Sequence, residues 1–489
     1  MLKRIPHLIW IAPIILLLLA SQMVFPLSGL KGIDARAGEL ADSTVYLPLV
    51  MRDFPPPPPS FGIDFGAIIP ENGLNEMVQA GDYWVRRDGV DWASVEPNKG
   101  DRNWEVLASL ETELLNAQQN GLEPILIVSG TPPWAQEYAG IACGPIKPEE
   151  LGAFADFMHD LVARYSIPPY NVHYWEIWNE PDVSAQGMLR DGYPDSRFGC
   201  WGDWSDAYFG GGAYGDMLVQ VSPKIKSADP NAKVLIGGLL LDCDPVNPPS
   251  GKSCGQSRFL KGILLAAGGA YFDGISFHAY DFYTGSLGRF SNPNWNSSWD
   301  TTGPVVSAKV QYIQSLLDEF GVEDKFLMNT ETAIICGGFL DPPGTPPCNS
   351  EIDSQFELTK AYYVTEVFTI GRAIGLRASV WYNVFGWRNS GLLYKDLSPR
   401  NAYAAYSVAQ AAIDGAEFQR EIDQFAGAAV YEFDRGNKLI WVLWSEDGQD
   451  HPISLTSLPN SAYDSLGNSI TPGLSISVGP KPIFLEWNK

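Results

Sequence analysis

The 489-residue chain is short of positive charge, of histidine and of closely spaced cysteine pairs. Lys and Arg number 33 against 57 Asp and Glu, for a net charge of −24. A nucleic-acid surface needs a basic stripe, so no nucleic-acid partner is expected. The charge fits an extracellular protein acting on neutral or basic material. The five histidines (His7, His159, His173, His278 and His451) form no HxH or HExxH spacing, which disfavours a metal-dependent hydrolase. The six cysteines include no CxxC pair, so zinc and dithiol readings are weak. The stretch FGIDFGAIIPENG lacks the spacing of a phosphate-binding glycine loop, which argues against a doubly wound nucleotide-binding sheet. No metal and no cofactor are expected.

Beside these absences stands a marked N-terminus. Lys3 and Arg4 precede an apolar run from about Leu8 to Leu19, the layout of a secretory signal. Apolar character continues to Leu27, so an uncleaved single-span anchor is the alternative. Residues 1–29 are thus expected to be a signal peptide or N-terminal anchor. Residues 30–60 read as a Pro-rich linker, stiffened by the run Pro55 to Pro59. Either way the rest of the chain is secreted or held on the outside of the membrane, and an even cysteine count there points to disulfides.

From Phe61 onward, short apolar runs alternate with helical patterns. The runs are Phe61–Ala67, Tyr83–Asp88, Pro124–Ser129, Val172–Asn179, Val234–Gly238, Gly274–His278, Phe326–Thr330 and Ser379–Phe385. Between them, apolar residues recur at intervals of three and four, as in Leu151, Phe154, Phe157, Met158 and Leu161. Eight strand–helix repeats predict an α/β fold, a (β/α)8 TIM barrel over 61–415. After Gly415 the stretch AAVYEFDRGNKLIWVLWS and later short runs predict a small C-terminal antiparallel β-sandwich-like module over 416–489.

A barrel carries its chemistry at the C-terminal ends of its strands. In WEIWNEPD, Glu180 stands at the end of the fourth run, stopped by Pro181, whereas Glu176 lies deeper and is expected to be scaffold paired with Arg86. A second carboxylate is needed for acid–base chemistry. Glu331, 151 residues downstream at the end of the seventh run, supplies it. Strands four and seven face each other across a barrel mouth, and two carboxylates there can sit ~5–5.5 Å apart, the separation of retaining glycosidases.

These residues resemble glycoside hydrolase clan A. Trp178-Asn179-Glu180-Pro181 matches the clan's fourth-strand signature, and Glu331 matches its seventh-strand nucleophile. The phrases WVRRDGVDWASVEP, GTPPWA, EIWNEPD, GISFHAY and SGLLYKD look most like family 39 and family 5 members. The resemblance implies Glu180 as acid/base and Glu331 as nucleophile. It further implies that Arg86 supplies positive charge, Tyr280 donates to Glu331, Asn179 holds the sugar 2-hydroxyl and Trp381 floors the sugar ring. His278 and His173 could bond sugar or carboxylates, or could be core histidines. Loop aromatics including Trp134, Trp201, Trp204, Trp295, Trp299 and Trp387 are candidates for stacking on sugar. All six cysteines fall in the same loops. The pairing Cys143–Cys200, Cys243–Cys254 and Cys336–Cys348 is one of fifteen.

The expectation is a secreted retaining glycosidase acting on β-linked oligo- or polysaccharide, xylosidase-like or otherwise polysaccharide-degrading. The alternatives are a non-catalytic carbohydrate-binding surface protein and a transglycosidase using the same site.

Overall fold

A closed ring of eight parallel strands organises the chain. The computed structural model describes residues 57–191, 198–337 and 354–489. The expected signal or anchor, nearly all of the linker, and Cys348 lie outside them. The strands are β1 (Phe61–Asp64), β2 (Trp84–Asp91), β3 (Glu123–Ser129), β4 (Tyr174–Asn179), β5 (Lys233–Leu239), β6 (Gly274–Tyr283), β7 (Phe326–Ile335) and β8 (Ala378–Trp381). Each pairs with the next, and β8 returns to β1 with Ser379 opposite Phe61. The main helices that follow the strands in turn are α1 (Leu74–Gln79), α2 (Ala108–Gln119), α3 (Leu151–Tyr165), α4 (Gly211–Ala228), α5 (Phe259–Ala267), α6 (Val306–Glu319), α7 (Ser354–Ala373) and α8 (Asn401–Ile413).

The local reasons are the expected ones. β3, EPILIVS, is buried along almost its whole length, as a strand covered on both faces must be. α3 buries Phe154, Phe157, Met158, Leu161 and Tyr165 on one stripe. β1 and β8 are shorter than expected. The chain leaves the sheet after Asp64 and after Trp381 to form mouth loops, although apolar residues continue in both stretches.

The barrel interior is layered. At the N-terminal end Trp84, Ile125, Leu235, Met328, Ala378 and Val380, drawn from five strands, form an apolar plug with Tyr83, Tyr174 and Phe326 packed against it. Above the plug lies a polar layer, Arg86 with Glu176, and above that the mouth.

Two irregularities aim the mouth residues. In β7 the pairing with both neighbours shifts around Thr330, and this bulge turns Glu331 to the inside, where strict alternation from Met328 would have turned it out. In β4, Trp178 adopts a left-handed backbone (φ 66°). Its ring packs outward against Phe154 and Trp201, which leaves Asn179 and Glu180 at the opening.

The tail folds as an antiparallel layer. β9 (Glu417–Glu421), β10 (Ala428–Asp434), β11 (Lys438–Ser445), β13 (Ser461–Asp464) and β15 (Ile483–Asn488) form one sheet in the order β9-β10-β11-β15-β13. β12 (His451–Ser454) and β14 (Ser475–Val478) form a second pair. Alternation is clean. Val430, Leu443, Ile483 and Leu485 meet Ile453, Ile476 and Val478 between the two sheets. Ala429, Phe433, Ile440, Val442, Trp444 and Phe484 belong to the same apolar core as the barrel helices.

Candidate active site

The mouth holds a cavity of about 740 Å³, within the usual range for small-ligand sites. Asp64, Arg86, Asn179, Glu180, Tyr280, Lys309, Glu331, Tyr382 and Trp387 are among its lining residues. An oxygen of Glu180, an oxygen of Glu331 and a ring nitrogen of His278 all lie within 4.8 Å of one another. The two carboxylates therefore form a close pair.

Each carboxylate has its own environment. Glu331 Oε1 accepts from Arg86 Nη1 at 2.5 Å, and Oε2 accepts from the Tyr280 hydroxyl. Burial pushes the Glu331 carboxyl above its ordinary range, and the Arg86 charge and the Tyr280 hydrogen bond pull it back. For Glu180, burial, then the Glu331 charge, then Asp182 all act upward, and its carboxyl is pushed well above the usual value. Both carboxyls are pushed upward, Glu180 the further of the two, so Glu180 favours its protonated form more strongly.

His278 is hydrogen-bonded to Glu180. Its Nδ1 lies 2.7 Å from Glu180 Oε1, while its buried Nε2 has no partner. Burial, then the charges of Arg86 and Lys309, hold the imidazole well below its ordinary pKa, so it is neutral. A neutral ring either donates from Nδ1 to Glu180 Oε1 or accepts from a protonated Oε1 there, according to its tautomer. The ring reaches this position only because residue 238 is glycine, since a Cβ there would lie 2.1 Å from Nε2.

Arg86 organises the floor. Nε and Nη2 donate to Glu176 Oε1 at 3.2 and 2.5 Å, Nη2 also to Asn179 Oδ1 at 2.7 Å, and Nη1 to Glu331 and to Asp64 Oδ2 at 3.3 Å. Glu176 is thus the buried scaffold carboxylate the sequence implied. Arg86 is saturated by protein partners, which makes it a positioning group rather than a direct substrate ligand. The bond from Arg86 to Asn179 Oδ1 leaves the Asn179 amide N–H groups for the cavity.

Other expectations are corrected. Trp381 is fully buried in the core, donates to Ser390 O at 2.9 Å and is not among the lining residues. β8 ends at this residue, so its ring points into the protein. Trp134 donates to Glu96 O and packs on Trp92, away from the cavity. Of the loop tryptophans only Trp387, half exposed, is among the lining residues. His278 is fully buried and acts on Glu180 rather than on the cavity. His173 pairs with Asp229, before β4 begins. Cys143–Cys200 and Cys243–Cys254 are bonded as expected. Cys336 is also disulfide-bonded, and its expected partner lies outside the described residues.

Sequence reasoning missed Asp64, Tyr382 and Lys309. Asp64 ends β1, so the strand-end rule could have found it. Lys309 had a subtler signal: a lysine within the apolar stripe Val306, Val310, Ile313, Leu317 of α6. The Glu180–His278–Glu331 spacing could hold a cation. Arg86 already supplies positive charge to Glu331 and His278 Nδ1 is engaged by Glu180, so the set reads as an acid–base pair.

Fold and site together define a TIM barrel with a close carboxylate pair, Glu180 directly after the fourth strand and Glu331 within the seventh. No family's sequence profile matches the chain, and no curated protein matches it. Solved structures do. A family 39 glycoside hydrolase from Bacteroides cellulosilyticus WH2 is similar at TM-score 0.61 and 18% identity, over 88% of this chain and 81% of that one. A family 30 subfamily 8 xylanase from Clostridium acetobutylicum is similar at 0.56 and 15%, over 88% and 96%. A family 51 alpha-L-arabinofuranosidase from Bifidobacterium longum is similar at 0.54 and 12%, over 88% and 97%. These structural neighbours are clan A glycoside hydrolases.

Proposed function

We propose that the protein is a secreted retaining glycoside hydrolase that cleaves β-linked glycosides, xylosidase-like in substrate class, by double displacement. The observation that carries this is the pair Glu180 and Glu331, within 4.8 Å of each other and held in different environments. In the first step a Glu331 oxygen bonds to the anomeric carbon, the glycosidic C–O bond breaks, and the leaving oxygen takes the proton from Glu180. In the second, water bonds to the anomeric carbon and gives a proton to Glu180 as the glycosyl–Glu331 bond breaks. Asn179 holds the sugar 2-hydroxyl, Tyr280 and Arg86 keep Glu331 ionised, and Trp387 offers an aromatic wall. The disulfides support export, and among the described residues no helix is long and apolar enough to cross a membrane.

The test is turnover of a panel of aryl β-xyloside, β-glucoside and β-galactoside, with aryl α-L-arabinofuranoside beside them. Wild type should hydrolyse at least one with retention of anomeric configuration read by NMR. Glu331→Gln should lose on the order of a thousandfold or more. A wild type inactive on every activated glycoside would sink the proposal, and an inverted product would sink the mechanism.

A further inference from the structure

The glycosidase mechanism asks Glu180 for two opposed things. It must hold a proton long enough to deliver it in the first step, and be free of it to accept one from water in the second. Burial, Glu331 and Asp182 all favour the protonated form. Something must keep that preference from becoming absolute, and the candidate lies on a helix outside the barrel.

Lys309, on α6, is almost completely buried and is among the cavity-lining residues. Its Nζ donates to Leu240 O at 2.7 Å and to His278 O at 2.7 Å. It therefore ties the chain just after β5 to β6, at the residue whose ring holds Glu180. Asp182 locks the same turn from the other side, accepting from the backbone N–H groups of Leu240 and Leu241 at 2.9 and 2.8 Å. The charged and titratable groups around Glu180 include Arg86 from β2, Asp182 from its own loop, His278 and Tyr280 from β6, Glu331 from β7 and Tyr382 after β8, with Lys309 from α6. Lys309 itself faces Asp182, Asp281 from β6, Glu180 and Asp242. Arg86 is committed to Glu331, Glu176 and Asp64. His278 is neutral. After Arg86, Lys309 is the second cation whose charge favours the ionised form of Glu180, and its Nζ bonds go to Leu240 O and His278 O rather than to the nucleophile.

We propose that Lys309 is a positioning residue for Glu180: its ammonium braces the backbone that carries His278 and supplies the buried positive charge that lets Glu180 release its proton between the two steps. This assignment rests on the glycosidase reading. Burial lowers the Lys309 pKa to about 8, so the charge is present through neutral pH.

The experiment uses the full chain and an activated aryl glycoside that the wild type turns over, with pH profiles of kcat and kcat/KM for wild type, Lys309→Met, Lys309→Gln and Lys309→Arg. Removing the cation strengthens proton binding by Glu180. The alkaline limb of kcat/KM should move up by roughly 0.5 to 1 pH unit in Lys309→Met. Its kcat should fall on the order of tenfold while KM falls with it, because water attack becomes limiting. Azide, a nucleophile that needs no base, should restore kcat. Lys309→Arg should return the limb to the wild-type position. If Lys309→Met does not fold, Lys309→Gln, which keeps an N–H donor without the charge, carries the same expectation. An unshifted limb in a folded, uncharged variant, or kcat and kcat/KM falling together without azide rescue, would overturn the role of Lys309 alone. A wild type inactive on every glycoside would overturn both readings.

Discussion

Replacing Arg86 with Met removes the cation from beneath three carboxylates. Among the described residues Arg86 is the sole hydrogen-bonding side chain to Asp64 and supplies every side-chain donor to Glu176. It is also one of two donors to Glu331. Without it, Glu176 keeps only the backbone N–H of Gly238 at 3.2 Å, and Asp64 keeps none. Breaking one buried pair costs roughly 3–5 kcal/mol because the abandoned charge stays buried. At neutral pH the loss should be at least about 3 kcal/mol. The abandoned groups can escape the penalty by binding protons, so the loss should shrink in acid. Urea unfolding at pH 7.5 and pH 4.5 measures this as a drop in midpoint at unchanged slope, largest at the higher pH. A loss under about 1 kcal/mol, or the same loss at both pH values, would refute the picture of Arg86 as the shared counter-ion. The residual activity of the variant should show its acid limb displaced upward, since Glu331 would hold its proton more tightly.

The two tryptophans after and within β8 should separate cleanly. Trp387→Ala should raise KM about tenfold with little change in melting temperature, and Trp381→Ala should cost about 3–5 kcal/mol of stability, read by denaturation. Stability should also fall as pH rises. Burial is the leading cause that pushes Asp64 and Asp182 to about 7, Asp281 to about 6 and Glu366 to about 8. The native state keeps these protons while the unfolded chain releases them near ~4. Melting temperature should therefore decline from about pH 4 to about pH 8, and a rise over that window would count against these burials. Of the two disulfides whose halves both lie among the described residues, Cys143–Cys200 closes a 57-residue span and Cys243–Cys254 one of 11. Loop-closure entropy puts their contributions at about 4 and about 3 kcal/mol, and double Ser variants should rank in that order by urea midpoint.

By itself the sequence determined the barrel, the β module and the two glutamates. Strand runs such as EPILIVS and helix stripes such as that of α3 are local patterns that burial on both sides imposes, and strand order then follows from chain order. The strand-end rule placed Glu180 because it needs only the point where a run stops. Glu331 was found by the same rule, but β7 continues past it to Ile335, and the bulge at Thr330 rather than a strand end turns it into the mouth. What the tertiary structure alone decided is direction and partnership. Trp381 looked like a sugar platform, but its side chain falls on the core side of a strand that ends there. Glu331 faces inward because of a bulge at Thr330, which depends on pairing with β6 and β8 and leaves no mark on β7 alone. The union of Arg86 with Asp64, Glu176, Asn179 and Glu331 joins four strands, β1, β2, β4 and β7. Lys309 reaches the backbone of Leu240 and His278 from a helix outside the ring. Such contacts arise from closing the sheet into a barrel, which brings residues more than a hundred positions apart within hydrogen-bonding distance, and no local periodicity encodes that.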